Sequence, residues 1–302
     1  MVGSAILRLC KSKGLSNIIV KTLNELDLTR QSDVEKFFKS ERPEIVIIAA
    51  AKVGGILANN IYRAEFIYDN LMIEANLINA SYKNNTEKLI FLGSSCIYPK
   101  FAPQPMKEEY ILSGYLEETN EPYAIAKIAG IKLCENYYRQ YNANFYSVMP
   151  TNMFGPNDNF DPQSSHVLAA LIRKFHEARV NHSPVVHLWG TGQPLREFLY
   201  VDDLAEAIMF LAENFNAEDI YKMGISHINI GTGKEISIIE LAGLIGEITG
   251  YSGELEFDTT KPDGTPRKLM DNSRMTELGW SAATGLKEGI KKAYQWYVEN
   301  KA

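Results

Sequence analysis

Mostly apolar runs of strand length alternate with amphipathic stretches of helix length through the first half of this chain. The runs EIVIIAA (44–50), KLIFLGSS (88–95) and FYSVMP (145–150) predict buried strands. Apolar residues at helical spacing lie between them, over about 61–83 and 121–141. Strands and helices that alternate in this way predict a parallel sheet covered by helices on both faces, which is the doubly wound (Rossmann-type) α/β class.

The chain opens on MVGSAILRLC (1–10), which places Val2, Ala5, Ile6 and Leu9 on one face of an amphipathic helix. The following apolar run, SNIIV (16–20), predicts a short strand. A helix after a strand and a glycine-rich turn is typical of a phosphate-binding unit, so the helix at the start of the chain is of functional interest.

The pattern changes after residue 150, where a long stretch rich in Asn, Asp, Pro and Gly predicts a loop. Shorter helices and strands follow, and the last predicted helix begins at Leu286. We therefore expect two interleaved domains. The first comprises residues 1–155 and about 195–230, and the smaller second one comprises 156–194 and about 231–302.

Composition excludes several classes of protein. The formal net charge of -6 over 302 residues disfavours binding to nucleic acid or an anionic membrane. The three cysteines, Cys10, Cys96 and Cys134, form no CxxC pair, which disfavours a disulfide framework or zinc site. No apolar run approaches the roughly 18 residues that a membrane helix needs. We expect a cytoplasmic protein with no metal, nucleic-acid or membrane partner.

The stretch NEPYAIAK (120–127) carries the first candidate chemistry. Tyr123 and Lys127 lie one turn apart on a predicted helix, and an ammonium beside a phenol lowers the phenol's pKa. Such a tyrosine can exchange a proton at neutral pH. Because Tyr-x-x-x-Lys pairs also arise by chance, this pair alone does not define a site.

A second motif, FLGSSCIYP (91–99), places Ser94 at the carboxyl end of a predicted strand. With Ser94, Tyr123 and Lys127 on successive βα units, the chain resembles the short-chain dehydrogenase/reductase superfamily. AAAKVGG (49–55) and REFLYVDD (196–203) are similar to segments of its extended, sugar-nucleotide branch.

The resemblance is closest to the GDP-L-fucose synthase family and spans nearly the whole chain. It rests on these motifs and on TNEPYAIAKIAGIKLCE, MPTN, GPNDNF, SHV, SHINIGTG and KPDGTPRKL. It implies NADPH-dependent conversion of GDP-4-keto-6-deoxy-D-mannose to GDP-L-fucose, by epimerisation at C3 and C5 and reduction at C4. The first domain would bind NADP(H) and the second the GDP-sugar.

The resemblance also implies catalytic roles. Tyr123 would donate a proton to the C4 oxygen, Lys127 would lower the pKa of Tyr123 and hold the nicotinamide ribose, and Ser94 would bind the oxygen. Epimerisation needs one acid and one base, and the resemblance assigns these roles to Cys96 and His166 without deciding which is which.

The binding residues implied by the resemblance form two sets. The cofactor set is Gly3, Lys21, Asn24, Leu26, Ala49, Ala50, Lys52, Leu92, Gly93, Ser94, Ser95, Lys127, Pro150, Asn152, Met153 and His166. The substrate set, in which Arg196 and Lys174 would meet the diphosphate, is Lys174, Trp189, Arg196, Asp263 and Lys268.

Lys21, with no acidic residue directly after Val20, mildly favours NADP over NAD. A homodimer through the two helices that flank the Tyr-Lys motif is expected.

Two alternatives stay open at this point. One is another extended-family epimerase or dehydratase, although dehydratases usually carry Glu beside the position of Ser94, where this chain has Ser95 and Cys96. The other is a catalytically silent binding module. Its support is that Gly3 aligns with the last glycine of a dinucleotide fingerprint, so we expect Met1 to lie inside a longer reading frame.

Overall fold

The computed structural model describes residues 1–161, 164–260 and 263–302, so short parts of the GPNDNF…SHV and KPDGTPRKL segments lie outside it. The strands within these ranges are β1 Ile45–Ile48, β2 Lys88–Leu92, β3 Phe145–Pro150, β4 Asn152–Phe154, β5 Val185–Trp189, β6 Leu195–Tyr200, β7 Ile228–Ile230, β8 Glu235–Ser237, β9 Glu254–Asp258 and β10 Arg267–Lys268. The helices are α1 Val2–Ser12, α2 Gln31–Glu41, α3 Ile56–Ile61, α4 Arg63–Lys83, α5 Glu121–Tyr141, α6 Val167–Val180, α7 Val201–Asn214, α8 Ala217–Lys222, α9 Ile238–Thr249, α10 Ser273–Glu277 and α11 Leu286–Asn300.

The central sheet is parallel, with strand order β1, β2, β3, β7. Alternate residues of β2 face opposite sides of it, as the two-residue period of a strand requires. Leu89 and Phe91 pack with side chains of α2, α4 and α5, whereas Ile90 and Leu92 pack with those of α7 and α8. Both faces of the sheet are therefore buried under helices, which confirms the doubly wound α/β prediction.

The second half of the chain builds smaller sheets around a separate group of buried residues. The strands β10, β6 and β4 pair in that order, β8 pairs with β6, and β5 pairs with β9. Side chains of α6, α9 and α11 pack together over these strands. Strands β4 and β6, which the predicted boundaries assign to the first domain, pack in this second group. The division into two interleaved domains with boundaries at about 155, 195 and 231 remains a proposal.

The helix predicted over about 61–83 is confirmed as α4, and the short helix α3 precedes it. Two sequence predictions need correction. Residues 16–20 form no strand, because no strand among the described residues pairs with them, and Val20 is 60% exposed. The stretch after residue 150 is not entirely loop, since Asn152–Phe154 pairs with β6.

A buried polar cluster ties the segment after β2 to β7. The Tyr98 hydroxyl donates to Asn229 Oδ1 at 2.6 Å and lies 2.8 Å from His227 Nε2. Ser226 Oγ lies 3.0 Å from His227 Nδ1. Burial, aided by the charges of Lys132 and Arg274, lowers the pKa of His227 to about 3. The imidazole is therefore neutral in the folded protein across the physiological pH range.

This histidine should make folding acid-sensitive. Below the ordinary histidine pKa of about 6.5, the unfolded chain binds a proton that the folded chain does not, so stability falls as pH falls towards 3. Between pH 7.5 and pH 5 we expect His227 to remove about 2 kcal/mol of the unfolding free energy. Urea unfolding of the parent and His227→Gln at both pH values measures this loss. The stability difference between the two proteins should shrink by that amount, and parallel pH dependences would contradict the assignment.

Candidate active site

The carboxyl ends of neighbouring parallel strands bring the candidate residues to one edge of the central sheet. Ala49 and Ala50 directly follow β1, Gly93–Cys96 follow β2, and Asn152–Met153 follow β3. In doubly wound folds this edge is where ligands bind. The structure therefore brings together motifs that are about 100 residues apart in the sequence.

Gly93, at the start of this edge, packs closely against β3. Its N–H donates to Val148 O at 2.9 Å, and a Cβ at this position would overlap the Met149 side chain. The segment after β2 is consequently held close to the end of β3. Ser94 follows in extended conformation, and a short 3₁₀ turn at Ser95–Ile97 buries the Cys96 side chain.

Ser94 lies at the centre of the candidate chemistry. Its hydroxyl lies close enough to the Tyr123 phenol and to the Cys96 thiol to lower the pKa of each. Tyr123 reaches this point from the first turn of α5, where Pro122 is accommodated without loss of a helical hydrogen bond. One hydroxyl therefore lies close both to the group predicted to serve reduction and to a group predicted to serve epimerisation.

The pKa of Tyr123 differs from the sequence-based expectation. Burial, followed by the neighbouring Cys96 and Glu74, raises it well above its ordinary value, and the Ser94 hydroxyl opposes this shift only in part. Lys127 Nζ lies 5.8 Å from the Tyr123 ring centroid and 3.0 Å from Glu74 Oε1. Because burial is the largest of these influences, the expected lowering of the Tyr123 pKa is wrong.

Cys96 and His166 both lie near Lys268. Burial raises the pKa of the Cys96 thiol, against the lowering influence of Lys268, Ser94 and Lys127. His166 occupies the N-cap position of α6. Desolvation lowers the pKa of its imidazole, and the charge of Lys268 adds to this effect. At neutral pH the thiol is protonated and the imidazole is neutral, so each group can take part in one proton transfer.

The substrate candidates from the second half of the chain extend this site. Burial lowers the pKa of the Lys268 ammonium, which also lies within electrostatic reach of Cys96 and Arg196. Asp263 lies near Arg196 and accepts hydrogen bonds from the Thr191 N–H at 2.9 Å and hydroxyl at 2.7 Å. Burial lowers the pKa of Arg196 and Asp263 opposes this shift, but among the described residues no carboxylate lies within ion-pairing distance of Arg196. A partly buried cation of this kind suits an anionic ligand.

The two remaining substrate candidates lie on α6 and β5. Lys174 donates to His187 O at 2.7 Å, which places it against the strand that ends at Trp189. The Trp189 side chain is 65% exposed, as expected of a residue that covers a ligand rather than one in the core.

The cofactor candidates differ from one another in burial and in the contacts of their side chains. Leu92, Ser95 and Pro150 are buried at the strand ends, and Asn152 Nδ2 donates to Glu197 O at 2.8 Å. The Lys52 side chain forms ion pairs with Glu65 and Asp69. Its backbone is held by Asn70, whose Oδ1 accepts from the Lys52 N–H at 2.9 Å and whose Nδ2 donates to Lys52 O at 3.1 Å.

The residues near the start of the chain are less well supported. Lys21 and Asn24 are exposed in an irregular segment, and Leu26 is half-buried there. A Cβ on Gly3 would meet Ala49 Cβ at 4.0 Å, which is an ordinary contact. Packing among the described residues therefore does not require glycine at this position.

Sequence reasoning missed Glu74, although a signal was present. Glu74 follows Asn70 by one turn of α4 and lies among apolar neighbours, a pattern that marks a buried carboxylate in need of a partner. Its partner, Lys127, is distant in sequence and only the fold identifies it.

Two cavities differ in which of the candidate site residues line them. A small one against Cys96 and Lys268 is also lined by Tyr98, Gln104 and Glu117. A larger cavity of about 510 Å³ lies beside α6 and the end of α11 and contains none of the candidate residues. The smaller cavity therefore reaches Cys96 and Lys268 of the candidate site, whereas Ser94, Tyr123, Lys127 and His166 line neither cavity.

The described residues contain no group of three or more His, Cys, Asp or Glu side chains arranged to hold a metal ion. Within the same ranges, no helix has the length and apolar character needed to cross a membrane.

Comparison with known proteins assigns the class. Residues 1–231 match the NAD dependent epimerase/dehydratase family. GDP-L-fucose synthase 1 of Arabidopsis thaliana is 56% identical over 300 residues, which cover 99% of this chain and 91% of that protein. GDP-L-fucose synthase of Escherichia coli K12 is 54% identical over 303 residues, covering 99% and 94%. The crystal structure of a GDP-L-fucose synthetase from Naegleria fowleri bound to NADP superposes with a TM-score of 0.88 at 28% identity, covering 99% and 91%.

The chain therefore belongs to the NAD dependent epimerase/dehydratase family and, within it, to the GDP-L-fucose synthases.

Proposed function

We propose that this protein converts GDP-4-keto-6-deoxy-D-mannose to GDP-L-fucose, with NADPH as reductant. The observation that carries the proposal is the Ser94 hydroxyl, which lies close to both Tyr123 and Cys96. A substrate whose C4 oxygen binds at Ser94 meets the proton donor for reduction at C4. The same position brings a proton-transfer group to the adjacent carbons.

The residues present fit NADP(H). The small residues Ala49, Ala50 and Gly93 leave the backbone open at the ends of β1 and β2, and Lys127 lies beside Tyr123 where a ribose hydroxyl would bind. Met153, Asn152 and Pro150 complete the edge at the end of β3. NADPH, when bound here, supplies the hydride that reduces C4.

Epimerisation uses the acidity that the C4 ketone gives to the protons on C3 and C5. Cys96 and His166 form the acid–base pair that removes each proton and returns one to the opposite face of the sugar. Ser94 and Tyr123 hold the C4 oxygen while it carries the developing enediolate charge. Lys268 lies near both members of the acid–base pair and adds positive charge there.

Reduction then uses the proton that Tyr123 retains. The high pKa of its buried phenol keeps the proton in place until the C4 oxygen becomes basic as hydride arrives. Lys127 stabilises the phenolate that remains. Arg196 and Lys174 hold the diphosphate, Asp263 accepts from a sugar or ribose hydroxyl, and Trp189 covers the sugar or base.

The test is to incubate the purified protein with GDP-4-keto-6-deoxy-D-mannose and NADPH in D₂O. We expect one NADPH oxidised per GDP-L-fucose formed, with deuterium at C3 and C5 in the NMR spectrum. A 4-epimerase or a dehydratase would interconvert its own sugar nucleotides without stoichiometric NADPH oxidation. If NADPH is not oxidised and deuterium is not incorporated, the proposal is wrong and the silent binding module is favoured.

We further propose a homodimer and a cytoplasmic location. Exposed apolar side chains on α3, α4 and α5, at Ile61, Tyr68 and Ile125, offer a surface for a second copy. The three cysteines are free and buried, which suits a reducing compartment.

A further inference from the structure

A buried ion pair joins the two long helices beside the active site. Glu74 of α4 and Lys127 of α5 have side chains only 1% and 2% exposed, and Glu74 Oε1 lies 3.0 Å from Lys127 Nζ. Among the described residues, Glu74 is the one carboxylate within ion-pairing distance of this ammonium. The position of the Lys127 charge therefore depends on Glu74.

The space around this pair is shaped by Gly130 and Phe91. Lys127 Nζ lies 4.5 Å from the centroid of the Phe91 ring, a cation–π arrangement. A Cβ on Gly130 would overlap the same ring and would stand 2.8 Å from Glu74 Oε2. One side of the ammonium thus faces an aromatic ring and another faces a carboxylate, and Tyr123 lies beyond it.

We propose that Glu74 is a positioning residue for catalysis, which holds the Lys127 ammonium in place beside Tyr123. The inference rests on the proposed function. Lysine has a long flexible stem, and a buried ammonium without a partner is strongly disfavoured. The ion pair with Glu74 restricts the Lys127 side chain to one position and gives the buried ammonium a partner of opposite charge.

The charge of Glu74 also acts on the proton donor. It contributes to the raised pKa of Tyr123, so it keeps the phenol protonated. Burial raises the pKa of Glu74 itself to about 7, against the lowering influence of Lys127. The titratable groups within reach of Glu74 are Lys127, Tyr123 and Cys134.

The test compares Glu74→Gln with Glu135→Gln. Glu135 is a matched control because it is a buried carboxylate on α5 that pairs with Lys132 and Arg139 instead of Lys127. For Glu74→Gln we expect kcat for NADPH oxidation to fall about 10²-fold, since a misplaced catalytic group costs about that much. The KM for the GDP-sugar should change little. The affinity for NADP⁺, measured by calorimetry, should fall because Lys127 no longer meets the ribose in a fixed position.

The pH profile separates positioning from a merely structural role. With the neighbouring negative charge removed, the Tyr123 phenolate is favoured, so the alkaline limb of kcat should move to lower pH in Glu74→Gln. Glu135→Gln should lower the melting temperature but keep the parent limb, kcat and NADP⁺ affinity. Glu74→Asp keeps the charge on a shorter side chain. It should lose less activity than Glu74→Gln and keep the alkaline limb of the parent's kcat profile. If Glu74→Gln does not fold, Glu74→Asp decides whether Glu74 positions Lys127.

Several results would overturn the inference. One is a Glu74→Gln variant whose kcat, alkaline pH limb and NADP⁺ affinity are those of the parent. Another is a Glu135→Gln variant whose kinetic losses are as large as those of Glu74→Gln. If Glu74→Gln does not fold, a fully parental Glu74→Asp would overturn it. Failure of the proposed function is distinguishable, because the parent would then show no turnover. The NADP⁺ affinities of the variants would still decide whether Glu74 positions Lys127.

Discussion

Tyr123→Phe should abolish NADPH oxidation while leaving solvent deuterium exchange at C3 or C5 of the GDP-sugar detectable. In the proposed mechanism the phenol is the proton donor at the C4 oxygen, and removal of a general acid costs about 10²–10⁴-fold in rate. The same mechanism assigns proton exchange to Cys96 and His166, which the substitution leaves in place. Absorbance of NADPH and NMR of the sugar nucleotide in D₂O measure the two activities separately.

A matched control for this variant is Tyr137→Phe. Tyr137 lies on the same helix, α5, and its hydroxyl donates to Asn79 Oδ1 at 2.9 Å, away from the candidate site. We expect this variant to retain both activities. If Tyr123→Phe lost reduction and exchange together, the separate roles assigned to the two groups would be wrong, because the phenol would then be needed for both steps.

Cys96→Ser should impair epimerisation first. A serine hydroxyl has almost the size of the thiol but is a far weaker acid, so it cannot exchange a proton with a carbon at a useful rate. We expect deuterium incorporation at C3 and C5 to fall by about 10²–10⁴-fold. The affinity for NADP⁺ should stay close to that of the parent, because Tyr123 and Lys127 are unchanged.

The chain offers a closely matched control in Cys10→Ser. Cys10 and Cys96 are each 8% exposed, but Cys10 lies on α1, away from Ser94 and Lys268. We expect Cys10→Ser to exchange deuterium at the parent rate. Parent exchange in Cys96→Ser would remove the thiol from the mechanism and leave His166 and a different partner as the acid–base pair.

Local patterns predicted most of the elements that carry the site. The strand FYSVMP matches β3 at both ends, and the helix over 121–141 matches α5, because buried strands and amphipathic helices are encoded by neighbouring residues. Residues 16–20 show where this reasoning fails. An apolar run becomes a strand only if another strand satisfies its backbone, and pairing is a property of the whole fold.

The candidate site divides in the same way. Motif spacing predicted that Ser94, Tyr123 and Lys127 would meet, since strand ends and helix starts of successive βα units share one edge of the sheet. It did not predict that Lys268, which follows Cys96 by more than 170 residues, would lie near both Cys96 and His166. Nor did it indicate that Glu74 would pair with Lys127, because the two lie on different helices.

The sequence by itself determined the α/β class, the order of elements and the residue types available for proton transfer, because these depend on composition and on short-range periodicity. Only the tertiary structure decided the protonation of those residues. The pKa of Tyr123 depends on burial, on Cys96 and on Glu74. The pKa of His166 depends on desolvation and on the charge of Lys268. Electrostatic interactions act through space and are strong where water is excluded, so they follow from the packing of distant segments.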